Sequence, residues 1–154
     1  MTRGANEPDR WVIRPFSPGE EEAVVALWVD CGLVVPHNDP RRDIARKLKV
    51  NPEWFLVGLL DGRIVGSCMA GYEGHRGWIN YLAVSPTLRH RGLARRLMEV
   101  ATGLLRNAGC PKINLQVRSG NRQVVAFYRS LGFHEDDVVS LGLRLERDQE
   151  PDGL

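Results

Sequence analysis

The apolar positions in the first third of the chain change their period at each polar break, which indicates one strand followed by two helices. Bulky residues from Trp11 to Arg14 predict the strand. Ser17 to Glu20 has the spacing of a capping box with proline at the first helical position, so a helix is expected through about Asp30. Asp39 is a typical helix N-cap and predicts a second, short helix that runs to about Val50.

The middle of the chain has the pattern of an antiparallel meander. Apolar residues fill Trp54 to Leu60 and Ile64 to Tyr72, and the turn pair Asp61-Gly62 between them is typical of a β-hairpin. A second break from Gly74 to Gly77 precedes a further apolar run, Trp78 to Val84. Three consecutive antiparallel strands are therefore expected.

The last part of the chain alternates between helix and strand patterns. From Gly92, apolar residues recur at intervals of three and four until Gly109, which predicts a long amphipathic helix. Ile113 to Val117 then predicts a strand, Asn121 to Leu131 a helix and Val138 to Leu145 a final strand. The order βααβββαβαβ indicates an α+β (mixed α/β) fold with helices on both faces of one sheet.

Size and composition are those of one globular domain. Of the 154 residues, 43% are hydrophobic and 26% are charged, as is usual for soluble proteins. We expect one domain over residues 11–146, a disordered N-terminus over 1–10 and a flexible acidic tail over 147–154. The longest apolar run, Ala23 to Val29, is too short to span a bilayer. Because the first ten residues also lack an apolar leader, a cytoplasmic protein with no membrane partner is expected.

Cysteine and histidine spacing gives no sign of a metal site. The three cysteines, Cys31, Cys68 and Cys110, are widely spaced and form no CxxC pair, so reduced packing residues are expected. His75 and His90 have no second ligand at metal spacing. The sequence therefore predicts neither a disulfide framework nor a bound metal.

The formal net charge of +2 conceals two charged segments of opposite sign. Four arginines between Arg89 and Arg96 add +4 within eight residues, whereas residues 134–154 hold seven acids against two arginines. Aromatic residues do not alternate with the arginines, so nucleic acid is not expected as a partner. The basic segment, Arg89 to Ala94, lies between a predicted strand and helix, where free helix amides attract anions. It predicts a phosphate site, although a solvated basic face is the alternative.

Several motifs, taken in order, carry a family resemblance. They are Leu82-Ala83-Val84, Arg89 to Ala94, Asn121, and Phe127-Tyr128-Arg129-Ser130-Leu131-Gly132-Phe133. This series resembles the Gcn5-related N-acetyltransferases, the GNAT family, at the spacing of that family. The segments Asn38-Asp39-Pro40, Gly74 to Gly77, Gly109 to Ile113 and Ser140-Leu141-Gly142 extend the resemblance over nearly the whole chain.

The resemblance implies a GNAT fold with a mostly antiparallel, twisted sheet, and acetyl-CoA as the acetyl donor. The backbone of Leu82 to Val84 would pair with the pantetheine arm, and the amides from His90 to Arg95 would surround the pyrophosphate. The residues that the resemblance assigns to acetyl-CoA are Leu82, Ala83, Val84, Arg89, His90, Arg91, Gly92, Leu93, Ala94, Arg95, Asn121 and Tyr128.

The resemblance also implies the catalytic groups. A backbone N–H near Leu82 would stabilise the oxyanion, and Tyr128 would protonate the departing thiolate. A phenol with a pKa of about 10 is protonated at neutral pH, which suits this role. Alternatively, Tyr128 is a core aromatic residue at helical spacing, and Asn121 is a plain helix N-cap.

The sequence lacks the general base that some members of this family have. They have a glutamate where this sequence has Gln116, and an amide cannot accept the proton. Glu73 and Asp39 are the nearest candidate bases, although Glu73 could be a surface acid and Asp39 has a capping role. The lack of a strong base favours an α-amine, with a pKa of about 7.7 to 8.0, or a small amine that is already deprotonated, over a lysine amine. A water relay to a base would remove this preference.

The acceptor site is expected between the first two helices and the fourth strand. Its predicted members are Trp28, His37, Asn38, Glu73, Trp78 and Asn80; the alternative for both tryptophans is a core position. The sequence thus predicts an N-acetyltransferase acting on a primary amine, with a non-catalytic acyl-CoA-binding module as the alternative. The exposed edge predicted near Val138 to Leu145 also suggests a homodimer.

Overall fold

A five-stranded sheet forms the centre of the protein, which a computed structural model describes over residues 10–148. The strands are β1 (Val12–Pro15), β2 (Phe55–Leu60), β3 (Arg63–Tyr72), β4 (Gly77–Val84) and β5 (Ile113–Asn114). They are neighbours in chain order, and all pairs are antiparallel except β4 with β5. A parallel pair needs a crossover connection.

Four α-helices connect or follow these strands: α1 (Glu21–Asp30), α2 (Pro40–Lys47), α3 (Leu93–Asn107) and α4 (Arg122–Ser130). A 3-10 turn over Pro18–Glu20 precedes α1, and the Glu20 carboxylate accepts the Ser17 N–H at 2.9 Å. Helix α3 provides the crossover between β4 and β5. The predicted helix starts at Ser17 and Asp39 are confirmed, although α2 ends three residues before the predicted Val50.

The hairpin of β2 and β3 has the turn that its sequence predicts. Asp61 and Gly62 both have positive φ angles, 50° and 76°. A two-residue turn of this kind matches the twist of the flanking strands. The hairpin therefore sets the register of the two most buried strands in the described chain.

The sheet is covered on both faces. Val24 and Trp28 of α1 and Ile44 of α2 pack on one face, and each is at most 1% exposed. Leu97 and Leu105 of α3 are fully buried against the other face. The mixed α+β class predicted from the sequence is confirmed.

Strands β4 and β5 separate soon after they meet. Their pairing consists of Gly77 with Ile113 and Trp78 with Asn114, whereas β4 continues to Val84. The edge of β4 beyond Trp78 is thus without a strand partner in residues 10–148. This open edge of β4 borders the candidate site.

The prediction of a final strand over Val138 to Leu145 is wrong. Residues 131–148 contain no strand, and β5 ends at Asn114 rather than at Val117. Side chains on either side of β5 contact the chain that follows α4: Lys112 binds Asp136 at 2.9 Å, and Gln116 donates to Ser140. Alternating apolar residues indicate a strand, but a strand also requires a partner edge with matching backbone groups.

The structure describes two residues beyond the predicted domain boundary at residue 146. Asp148, assigned from sequence to a flexible tail, is 5% exposed and binds Arg46. Residues 1–9 and 149–154, which make up most of the segments predicted to be disordered or flexible, lie outside the described residues. No helix within residues 10–148 has the length and apolar character needed to cross a membrane; the cytoplasmic location stays a prediction.

Candidate active site

A cavity of about 1460 Å³ lies between β4, β5, α4 and the segment that follows α4. Of the residues predicted from sequence, Asn38, Trp78, Asn80 and Tyr128 line it, together with Gln116. Asn38 comes from the loop between α1 and α2, and Trp78 and Asn80 lie two positions apart on β4. Residues from four separate parts of the chain therefore share one cavity.

Tyr128 of α4 lies in an apolar environment at this cavity. The residue is 9% exposed, and Phe127 and Phe133 contact its ring edge-on, with centroid distances of 5.2 and 5.5 Å. Burial raises the pKa of the phenol above its usual value. Its hydroxyl has no hydrogen-bond partner among residues 10–148. Tyr128 is thus protonated at neutral pH, with a donor group available to a ligand.

The basic segment before α3, Arg89 to Ala94, forms a loop with a curled backbone. His90 and Gly92 both have positive φ angles, 64° and 92°, and Gly92 is the N-cap of α3. Left-handed residues in a tight turn can direct successive N–H groups into one concavity. Gly92 has no side chain to cap α3, so the first helix amides remain available. This geometry suits a phosphate group.

A β-bulge interrupts β4 between its cavity-lining residues, Trp78 and Asn80, and the basic segment before α3. Met69 pairs with Asn80 and Ser67 pairs with Ala83, so Tyr81 and Leu82 together face the single residue between Ser67 and Met69. Tyr81 has a φ of 51°, which is unusual for an aromatic residue. The bulge lies next to the predicted oxyanion donor, the Leu82 amide.

Leu82, Ala83 and Val84 are not among the residues that line the large cavity, and neither is the basic loop. They lie at the C-terminal end of β4 and in the connection to α3. Asn121 caps α4, since its side chain accepts the Val124 N–H at 3.3 Å. Asn121 therefore has the structural role given above as the alternative, that of a helix N-cap.

The prediction that Trp28 contacts the acceptor is wrong. Its side chain is fully buried between α1 and the sheet, where its ring stacks on Tyr81 at a centroid distance of 3.8 Å. A side chain with no exposed surface cannot bind a ligand from solvent. Helical periodicity could not separate the two possibilities, because core and cavity both favour an aromatic residue.

The role of Glu73 in binding substrate stays a prediction, and the structure shows what the carboxylate contacts. Glu73 does not line the cavity, and its carboxylate accepts the N–H groups of His75 and Arg76 and the indole N–H of Trp78 at 3.2 Å. These bonds lower the pKa of the carboxyl group, so it is a weak proton acceptor. Glu73 orients Trp78, which does line the cavity.

The remaining candidates lie outside the cavity as well. His37 is exposed and does not line it. The Asp39 carboxylate caps α2 by accepting the N–H groups of Arg41 and Arg42. No group of three or more His, Cys, Asp or Glu side chains within residues 10–148 is placed to hold a metal ion.

Ser67 and Asp43 were not among the residues predicted from the sequence. Ser67 is fully buried in β3, and Asp43 accepts a hydrogen bond of 2.6 Å from the Tyr81 hydroxyl. A hydroxyl inside the apolar run from Ile64 to Ala70 was a usable signal, because a buried polar group requires a partner. Asp43 had no comparable local signal.

Comparison with known proteins gives the family of this chain. The model of the acetyltransferase (GNAT) family matches residues 21–133. The acetyltransferase YE1169 of Yersinia enterocolitica is 46% identical over 138 residues, which cover 90% of this chain and 98% of that protein. The chain belongs to the GNAT family of N-acetyltransferases.

Solved structures share the fold at low sequence identity. AAC(6')-Iy in complex with the bisubstrate analogue CoA-S-monomethyl-acetylneamine has a TM-score of 0.72 at 21% identity, covering 88% of this chain and 99% of that chain. The ribosomal-protein-S18-alanine N-acetyltransferase from Escherichia coli has a TM-score of 0.69 at 20% identity, covering 82% and 79%. GNAT acetyltransferases take the acetyl group from acetyl-CoA.

Proposed function

We propose that the protein transfers the acetyl group of acetyl-CoA directly to a primary amine in a ternary complex, with Tyr128 as the acid. The observation that carries this proposal is the Tyr128 hydroxyl, protonated and without a partner in residues 10–148, in the same cavity as Trp78 and Asn80. A proton donor beside an open strand edge suits release of a thiolate.

The residues present fit acetyl-CoA as donor. The edge of β4 beyond Trp78 offers unpaired backbone to the amides of the pantetheine arm, in the region of Leu82 to Val84. The curled loop and the first amides of α3 would hold the pyrophosphate, with Arg89 and Arg95 adding positive charge. Asn121, the cap of α4, would contact the same ligand.

The chemistry requires few groups from the protein. The neutral amine attacks the acetyl carbon, the new C–N bond forms, and the C–S bond breaks. The Leu82 N–H stabilises negative charge on the carbonyl oxygen. Tyr128 gives its proton to the thiolate of coenzyme A and regains a proton from solvent before the next turnover. The amine loses its extra proton to water, because Gln116 is an amide and Glu73 is engaged elsewhere.

The acceptor in this proposal is an α-amine or another amine of low pKa. An amine with a pKa of about 7.7 to 8.0 is partly neutral at neutral pH, so it needs no strong base. Asn38, Trp78 and Asn80 would contact it. Within the family, the segments Asn38-Asp39-Pro40 and Ser140-Leu141-Gly142 resemble the bacterial acetyltransferase YpeA, whose lineage we propose for this chain.

A panel of amines tests the proposal. Free thiol released from acetyl-CoA would be followed with amino acids, peptides with free N-termini, aminoglycosides and N-α-blocked lysine. We expect release with at least one α-amine and little with blocked lysine. Acetyl-CoA binding without thiol release for any amine would favour the alternative, a non-catalytic acyl-CoA-binding regulatory module.

A homodimer is part of the proposal. Five apolar side chains after α4 are strongly exposed, at 75% to 92%: Val138, Val139, Leu141, Leu143 and Leu145. Exposed apolar side chains that cluster in one segment are typical of a protein–protein interface. Light scattering that gives twice the chain mass would support the dimer, and Leu143→Asp should then yield the monomer. A monomeric mass for the unaltered protein would contradict it.

A further inference from the structure

Ser67 links a buried tryptophan to the backbone of the bulge in β4. Its hydroxyl accepts the indole N–H of Trp28 at 2.9 Å and donates to the carbonyl oxygen of Tyr81 at 2.7 Å. Ser67 and Trp28 are both fully buried. The indole N–H occupies the acceptor side of the hydroxyl, so the serine proton is directed to the Tyr81 carbonyl.

The Tyr81 carbonyl belongs to the same peptide group as the Leu82 N–H. In a trans peptide these two groups point in opposite directions, and no cis peptide occurs within residues 10–148. Ser67 lies on β3, on one side of β4. Holding the carbonyl toward Ser67 therefore directs the Leu82 N–H toward the other side of β4, where β5 has separated.

The conformation of the bulge needs this support. Tyr81 has a φ of 51°, and a non-glycine residue in this region is strained and persists only where its surroundings hold it. Three contacts hold Tyr81: stacking on Trp28 at 3.8 Å, the bond from its hydroxyl to Asp43 at 2.6 Å, and the bond from Ser67 to its carbonyl. Of these, only the Ser67 bond sets the rotation of the peptide plane directly.

We propose that Ser67 and Trp28 are positioning residues, which orient the Leu82 amide as an oxyanion donor through the peptide bond between Tyr81 and Leu82. The inference rests on the proposed function, in which that amide stabilises the developing charge. It gives Trp28, fully buried and out of reach of the acceptor, a role in catalysis without ligand contact.

The main test compares Ser67→Ala with Val24→Ala. Val24 is as buried as Ser67 and packs on the same face of the sheet, but it takes no part in these hydrogen bonds. One oxyanion donor contributes about 10²- to 10³-fold to kcat, so a misdirected donor in Ser67→Ala should lower kcat by about 10- to 100-fold. The Kd of acetyl-CoA and the KM of the amine should stay near their original values, and Val24→Ala should change stability without this loss of kcat.

Infrared spectroscopy of bound acetyl-CoA, labelled with ¹³C at the thioester carbonyl, gives a second readout. A hydrogen bond from the Leu82 amide polarises the carbonyl and lowers its stretching frequency in the unaltered protein. In Ser67→Ala most of that frequency shift should be lost. Trp28→Phe keeps an aromatic ring but removes the N–H, so part of the frequency shift should be lost. This variant remains informative if Ser67→Ala does not fold.

The outcomes separate the inference from the proposed function. The positioning role is overturned if Ser67→Ala and Trp28→Phe have the same kcat as Val24→Ala and also show the full carbonyl frequency shift. The proposed function then still stands. If the unaltered protein binds acetyl-CoA without any carbonyl shift, the Leu82 amide is not the donor and the inference falls. If the unaltered protein transfers no acetyl group, the proposed function itself is rejected.

Discussion

Arg46 of α2 and Asp148, 102 positions later, form an ion pair with two hydrogen bonds, at 2.5 and 3.2 Å. The Asp148 carboxylate also accepts the backbone N–H of Asp39 at 2.8 Å. Arg144 binds the Asn38 side chain at 3.0 Å in the same region. The segment after α4 is thus tied to the loop between α1 and α2, and both border the cavity.

Replacing Asp148 should lower stability in a pH-dependent way. The bonds from Arg46 and the Asp39 N–H lower the pKa of Asp148 to about 2, whereas an unfolded aspartate has a pKa of about 3.9. The stabilisation is therefore complete above about pH 4 and is lost as the pH falls toward about 2. We expect Asp148→Asn to unfold several degrees lower at pH 7 and to show a shallower loss of Tm between these pH values.

Glu146→Gln is the matched control for this prediction. Glu146 also faces Arg46, but at 3.8 Å and with 72% of its side chain exposed. An exposed pair contributes little to stability. Thermal unfolding followed by circular dichroism should show almost no effect of Glu146→Gln. Equal effects of the two substitutions would contradict the role assigned to Asp148.

Tyr128→Phe should reduce kcat by at least about tenfold, because general acids contribute about 10²- to 10⁴-fold and water can replace part of this effect. The Kd of acetyl-CoA, measured by calorimetry, should change little, since the ring and its contacts with Phe127 and Phe133 remain. Tyr72→Phe is the control, because the Tyr72 hydroxyl bonds to the Gly74 carbonyl outside the cavity. Equal loss of kcat and affinity in Tyr128→Phe would indicate a structural role.

The pH profile should report the raised pKa of Tyr128. Because burial places this pKa above the ordinary value of about 10, the acid stays protonated through neutral and moderately alkaline pH. The value of kcat/KM should rise as the acceptor amine loses its proton and should then stay level up to about pH 9.5. A decline that begins near pH 8 would exclude Tyr128 as the acid.

Gly92→Ala and Gly103→Ala should have opposite effects on stability, although both glycines belong to α3 or its cap. At both positions an added Cβ would meet no atom within 4 Å, but Gly92 has a φ of 92° and is the N-cap. Alanine at Gly92 should cost about 1–2 kcal/mol and raise the Kd of acetyl-CoA several-fold. Alanine at Gly103, inside the helix, should stabilise by about 0.5–1 kcal/mol. Urea denaturation and calorimetric titration measure both effects.

Gln116→Glu should widen the range of acceptors. Gln116 is exposed, lines the cavity and donates to Ser140, so a carboxylate there can accept a proton from an amine. The kcat/KM for an ε-amine, with a pKa of about 10.4, should rise relative to that for an α-amine. Gln116→Ala removes the amide without adding a base and serves as control. No difference between the two variants in the ratio of the two rates would contradict a missing base at this position.

Local signals were sufficient for most of the elements and for the family. The Asp61-Gly62 turn, the caps at Ser17 and Asp39, and the glycine before α3 act on residues within a few positions, so the sequence alone identified them. The motifs from Leu82 to Phe133 likewise identified the acetyltransferase family, since each has a fixed spacing along the chain.

The tertiary structure alone decided what each side chain contacts. An aromatic residue has the same periodicity in a core as in a cavity, so only the packing places Trp28 behind the sheet, bound to Ser67. The alternating residues after α4 could not show that β5 offers no backbone ladder beyond Asn114. Asp148 has no local signal for burial, because its partner Arg46 is distant in sequence and close only in the folded chain.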